Sequence, residues 1–288
     1  MNYDQLKQEI FDYFHTELRD ITFQIQNSNI TRNKKATQIN NAVENVKNRV
    51  GDLLVNKYSH LNRPKLYMLV QYCYTVMSFE YRNTVWPYEY MAFSRRNGEL
   101  WERFCKAAWD HSEKDTLYRI QAPHFNEVKN NFIQKIRGYV DAPVHQNQLV
   151  ADTNEIFELV GEINMVEDEM FNLHNQNHII DFKSGFGSNE KGNTLRLLAV
   201  GKAYKHWDQN VNLLFLVRQN ENNNYLETIR RSNLWSVFCG DDAYNKIDEL
   251  TDAGICEVRR EAVNFQNDLS PEFWSYLVQE NIHGYLNW

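Results

Sequence analysis

The sequence predicts an α/β protein in which a mixed β-sheet core is flanked by helices and preceded by a helical N-terminal region. Three observations lead there. Apolar residues recur at helical spacing through the first part of the chain. The period turns strand-like from about Ile156 onward. A strand, a glycine-rich loop, a helix and a second apolar strand then follow in order between His178 and Val217.

Leu6, Ile10, Phe11, Phe14 and Leu18 share one face of a first helix, and Ile39, Val43, Val46, Val50 and Leu54 share one face of a second over about residues 33–55. Pro64 opens a third, which runs to about Phe79. Residues 32–49 are locally basic, with Lys34, Lys35, Lys47 and Arg49, which reads as a solvated face or, alternatively, a phosphate-contacting arm. After a turn near Pro87, residues 94–109 are strongly amphipathic, with Leu100, Phe104, Ala107 and Ala108 on the apolar side. Residues 156–160 and 162–166 read as extended segments, and the polar connection 172–177 leads into a strand at 178–184. The glycine-rich stretch 185–192 precedes a helix at about 194–207, and residues 211–217 have the length and β-propensity of a buried central strand. The expected division is a helical region at 1–88 and an α/β domain at 89–288.

Composition narrows the class. The 288 residues are 42% hydrophobic and 24% charged, so a folded core is expected rather than disorder. The opening residues alternate polar and apolar, unlike a secretory leader, and no apolar run approaches the ~18 residues of a membrane span. Cys73, Cys105, Cys239 and Cys256 form no CxxC pair, which speaks against a zinc ribbon or a disulfide scaffold and for a reducing, cytoplasmic setting. The net charge of −7 taken alone argues against nucleic acid as a partner, but net charge does not locate the basic residues.

Side chains alternate faces along a strand, so Ile180, Phe182 and Ser184 share one side of 178–184 and Ile179, Asp181 and Lys183 share the other. A carboxylate beside a lysine on one strand face suits metal-assisted phosphodiester hydrolysis. The carboxylate holds Mg²⁺ through oxygen, and the ammonium sits near the attacking water and the charged phosphate. One carboxylate holds a catalytic Mg²⁺ poorly, so a second is expected from the neighbouring strand. A hairpin centred near residue 171 or 172 sets Glu162 opposite Asp181 and makes Glu162 the preferred ligand. A tighter turn within 172–177 sets Asp168 there instead. Residues 167–169 read as a solvated hairpin end, which favours Glu162.

This pattern of acidic residue, hairpin and Asp181-Phe182-Lys183 resembles the PD-(D/E)XK nuclease superfamily, and especially type II restriction endonucleases. The helix carrying Gly98 and Glu102 resembles that superfamily's leading helix, and the stretch from Trp235 to Thr251 resembles a C-terminal part of restriction enzymes. The first acidic position departs from the family's usual Asp, since Glu162 carries one more methylene, about 1.5 Å of reach. The resemblance implies a restriction-endonuclease-like fold and Mg²⁺-dependent, sequence-specific cleavage of double-stranded DNA. Glu162 and Asp181 would be the metal ligands, Lys183 would act on water, and Glu102 would support. Residues 1–88 would then serve DNA contact or dimerisation, a homodimer would match two-fold symmetric sites, and a DNA methyltransferase would be the functional companion. Arg196, Arg218 and Gln219 offer side chains suited to base edges, and Arg230 and Arg231 suit phosphates. The alternatives are a structure-specific or repair nuclease of the same core, or a non-catalytic DNA-binding module that keeps the fold.

Overall fold

The computed structural model describes residues 2–185, 190–220 and 224–288, with the side chain of Val160 excepted. The chain forms two compact units. One comprises Met1–Lys114 and Tyr244–Trp288, and the other Asp115–Ala243. The expected boundary after residue 88 is therefore replaced by a discontinuous first unit, and the α/β unit is a segment inserted into it.

The chain begins in the first unit with α1 (Tyr3–Asn27), α2 (Arg32–Lys57), α3 (Arg63–Val85) and α4 (Tyr90–Asp110). Side-chain oxygens of Asn2, Thr31 and Asn62 accept from backbone N–H groups in the first turns of α1, α2 and α3, which satisfies donors that a helix start leaves open. α3 is apolar around most of its circumference and is buried accordingly, from Leu66 through Tyr72 to Phe79. α4 buries Leu100, Trp101, Phe104 and Ala108 in this same unit, which is why it does not head the α/β unit as the sequence suggested.

The second unit follows as β1 (Leu117–Arg119), α5 (Phe125–Arg137), α6 (Pro143–Val160), β2 (Glu169–Leu173), β3 (Gln176–Lys183), α7 (Lys191–Trp207), β4 (Asn212–Val217), α8 (Asn224–Arg231) and β5 (Ser236–Cys239). Its sheet has the order β1-β2-β3-β4-β5, antiparallel from β1 to β3 and parallel from β3 to β5. The α/β class and the order hairpin, helix, strand agree with the sequence. Two expected strands do not form. Residues 156–160 complete α6, where Phe157 meets the rings of Phe125 and Phe132 at 5.8 and 6.0 Å, and residues 162–166 pair with no strand among the described residues.

The chain re-enters the first unit within α9 (Asp241–Thr251) and continues through α10 (Ile255–Ala262), α11 (Phe265–Asp268) and α12 (Pro271–Gln279). Buried polar contacts tie this return to the opening helices. Lys7 Nζ lies 3.0 Å from Asp268 Oδ2, which also accepts from Tyr72 Oη at 2.6 Å. Trp288 Nε1 donates to Asn97 Oδ1 at 2.9 Å. Among the described residues no helix is long and apolar enough to cross a membrane.

In the α/β unit, Leu197, Val200 and Tyr204 of α7 pack with Ile179, Leu213, Phe215 and Val217 of the sheet and with Trp235. Gly201 allows the closest approach. A Cβ there would stand 2.6 Å from Trp235 Nε1, which donates to Leu197 O at 2.7 Å. Helix propensity alone makes Gly201→Ala stabilising by about 1 kcal/mol. We expect the opposite sign, a loss of about 1–3 kcal/mol in urea unfolding, because the methyl displaces the indole from its acceptor.

Candidate functional site

The hairpin of β2 and β3 positions the site. His174 and Asn175 link the strands with φ of 52° and 64°, so the connection is a two-residue turn with both residues left-handed. This turn type matches the twist of paired strands and sets the register without slack. Met170 faces Ile179, Phe171 faces His178 and Glu169 faces Ile180. Side chains agree with this pairing. The rings of Phe171 and His178 stack at 5.0 Å, and Asn172 donates to Asn177 at 2.9 Å. Continued by one residue, the register brings Asp168 level with Asp181, and Asp168 Oδ2 accepts from the Phe182 N–H at 2.8 Å.

The preference for Glu162 is thereby corrected. Glu162 is exposed just beyond α6, in a segment with no ladder partner among the described residues, while the turn sits near residues 174–175 rather than 171–172. Residues 167–169, read from sequence as solvated, are drawn in. Glu167 is 8% exposed and Glu169 is 4% exposed. Glu169 is paired across the sheet with Arg119 at 2.9 Å.

Asp181 is buried and Lys183, two residues further on the same strand face, is half-buried. Arg196 reaches this face from α7. One guanidinium nitrogen donates to both oxygens of Glu167, at 2.7 and 2.9 Å, and another donates to Asp181. Burial, and then the hydrogen bond and negative charge of Asp181, push the Glu167 carboxyl up to about 8. Burial opposes the Arg196 charge, but Asp181 and Glu167 outweigh it and hold its pKa above the ordinary value. Asp181 and the Arg196 guanidinium therefore offset one another, and the neighbouring Glu167 carboxyl holds its proton to higher pH than an ordinary carboxyl.

The remaining candidates are dispersed. Arg196, expected to read bases, is held by the two carboxylates. Arg218 follows β4, is 4% exposed, and donates its backbone N–H to Lys183 O at 2.9 Å. Gln219 is half-buried beside it. Arg230 pairs with Glu227 at 2.6 Å, and Arg231 is exposed at the end of α8. Glu102 belongs to α4 in the helical unit. Residues 186–189 of the glycine-rich stretch, and residues 221–223 beyond Gln219, lie outside the described residues. Glu167 was not singled out from the sequence. The signal was a His-Asn pair able to take left-handed backbone between two alternating apolar runs, which implies the tighter turn.

Among the described residues no three or more histidine, cysteine or acidic side chains stand ready-made around a metal position. The donor chemistry nonetheless fits a hard dication such as Mg²⁺. Asp168, Asp181 and Glu167 supply only oxygen, the donor type such a cation takes. No protein-family model, curated protein or solved structure matches this chain.

The raised Glu167 pKa has a signed consequence. The folded state holds a proton that the unfolded state releases near the ordinary value of 4.5, so this contribution to stability is fully present below that value and is lost as pH rises through about 8. In metal-free buffer, wild-type stability is expected to decline over this window relative to Glu167→Gln, by an amount on the order of a few kcal/mol. Parallel stability–pH curves for the two proteins in urea titrations would contradict the shared-proton arrangement.

Proposed function

We propose that this protein is a divalent-metal-dependent nuclease that cuts double-stranded DNA at specific sequences, in the manner of type II restriction endonucleases. The observation that carries this reading is the β2–β3 register, which sets Asp168 against Asp181 with Lys183 two residues along the same face. The crowding of Glu167 against Asp181 supports it, and so does the order of hairpin, α7 and β4 around the pair.

In this reading Asp168 and Asp181 hold Mg²⁺, with Glu167 close enough to adjust the charge they present. A bound dication supplies a water of lowered pKa and offsets charge that builds on the phosphate. Lys183 holds the attacking water and the non-bridging phosphate oxygens by donating hydrogen bonds from its ammonium, a contribution that grows as phosphate charge develops. Arg196 balances the carboxylates while substrate and metal are absent. A homodimer would present two such hairpins to a two-fold symmetric site.

One observation favours a second reading, a DNA-binding module without turnover. Arg196 already ion-pairs with Asp181 and Glu167, as in a purely structural cluster.

A plasmid digest with end-sequencing separates the two. Wild type is expected to cut in Mg²⁺, to bind without cutting in Ca²⁺, and to be silent in EDTA. Asp181→Asn, Asp168→Asn and Lys183→Ala should each lose roughly 10²-fold or more in cleavage, while Glu162→Gln should cut like wild type. Absence of Mg²⁺-dependent cleavage in wild type, or normal cleavage by Lys183→Ala, overturns the nuclease assignment.

A further inference from the structure

The chain that carries Glu167 and Asp168 enters β2 without sheet support. Residues 162–166 pair with no strand among the described residues, so the placing of the two carboxylates before Asp181 depends on contacts outside the ladder. Asn164 Oδ1 accepts from the Val166 N–H at 3.0 Å, a local turn that shapes the stretch without joining it to the sheet. Met165 is buried in the core that α7 shares with the sheet, and Ile163 packs against that core.

Tyr204 supplies the polar tie. Its hydroxyl donates to Met165 O, two residues before Glu167, and lies 3.5 Å from Met170 Sδ, two residues after Asp168. One buried hydroxyl thus meets the chain on both sides of the carboxylate pair. Burial, and then the Glu167 charge, hold the Tyr204 pKa above its ordinary value, so the hydroxyl keeps its proton and stays a donor. Arg196, Val200 and Tyr204 recur every four residues and so lie along one side of α7. From that side Arg196 takes the Glu167 carboxylate and Tyr204 takes the backbone behind it.

We propose that Tyr204 is a positioning residue for the metal site, a role that rests on the reading of Asp168 and Asp181 as metal ligands. Its hydroxyl fixes the stretch from Met165 to Met170 so that Asp168 and Asp181 present their oxygens to one cation. Tyr204 itself touches neither metal nor substrate. Mg²⁺ demands near-ideal geometry, so a small displacement of one ligand weakens binding, and partners behind the ligands supply the precision. Tyr204→Phe keeps the ring in the core and removes only the donor. Met165 O then loses its bond, and a buried carbonyl without a donor is costly enough for the stretch to shift. The shift loosens the bond from the Phe182 N–H to Asp168 Oδ2.

The test compares wild type, Tyr204→Phe and Gly201→Ala, each as the full chain. Gly201→Ala disturbs the same helix against Trp235 without touching the carboxylate stretch, so it reports what lost stability alone does. Three readouts are taken: amide hydrogen exchange by NMR without metal, Ca²⁺ binding by calorimetry, and the Mg²⁺ concentration for half-maximal plasmid cleavage. In Tyr204→Phe the Phe182 amide should exchange faster while that of Leu214 in β4 keeps its rate. Ca²⁺ affinity and the Mg²⁺ midpoint should both weaken about tenfold, with cleavage at saturating Mg²⁺ close to wild type. Gly201→Ala should leave both metal readouts unchanged. A wild type that binds metal and cuts, beside a Tyr204→Phe with unaltered metal readouts, overturns the positioning role alone. So does an equal weakening in Gly201→Ala, because stability then accounts for the effect. A wild type that neither binds Ca²⁺ nor cuts in Mg²⁺ overturns the metal reading and this role with it.

Discussion

The arrangement of the α/β unit depends on the two-residue turn at His174 and Asn175. Because strand side chains alternate with a period of two, a slip of one residue would send every side chain of β2 to the opposite face. The left-handed backbone at both turn positions excludes that slip. It sets Met170 with Ile179 in the core under α7 and carries Asp168 level with Asp181. The burial of Glu167 and its meeting with Arg196 follow from the same register, since the chain entering β2 has to pass that end of the strand.

Electrostatics then act on what the register assembles. Two carboxylates and one guanidinium meet in a half-sheltered place, where burial and the Asp181 charge raise the Glu167 pKa above the ordinary carboxyl range. Uncompensated buried charge is costly, and the raised Glu167 pKa together with the Arg196 pairing keeps this cluster from carrying it. Arg196 is the pivot, because it reaches both carboxylates from α7.

The helical unit depends on polar links between distant parts of its chain. Its start and end are held together by buried polar links, the Lys7–Asp268–Tyr72 set and the Asn97–Trp288 pair, in which every charge finds a partner. The α/β unit instead gathers its carboxylates around Arg196 beside the central strand β3, a local arrangement that the overall net charge of −7 conceals.

Local signals determined much of this protein. Apolar periodicity located α1 to α4, α7, β3 and β4, because each of these elements buries one face or all of itself and the pattern is written in consecutive residues. Alternation alone placed Asp181 and Lys183 on one face of β3. Tertiary structure decided the rest. Residues 156–160 have strand-like composition yet finish α6, where Phe157 finds two aromatic partners brought from α5. The second carboxylate depended on turn geometry, so Asp168 and Glu167 replaced Glu162. The helix bearing Glu102 joined the unit that buries Leu100 and Trp101, and the last 45 residues returned to it. The ending of α6 and the placement of α4 were decided by contacts between residues distant in the chain, which leave no periodic mark on the sequence, whereas the second carboxylate was decided by the backbone of the turn at His174 and Asn175.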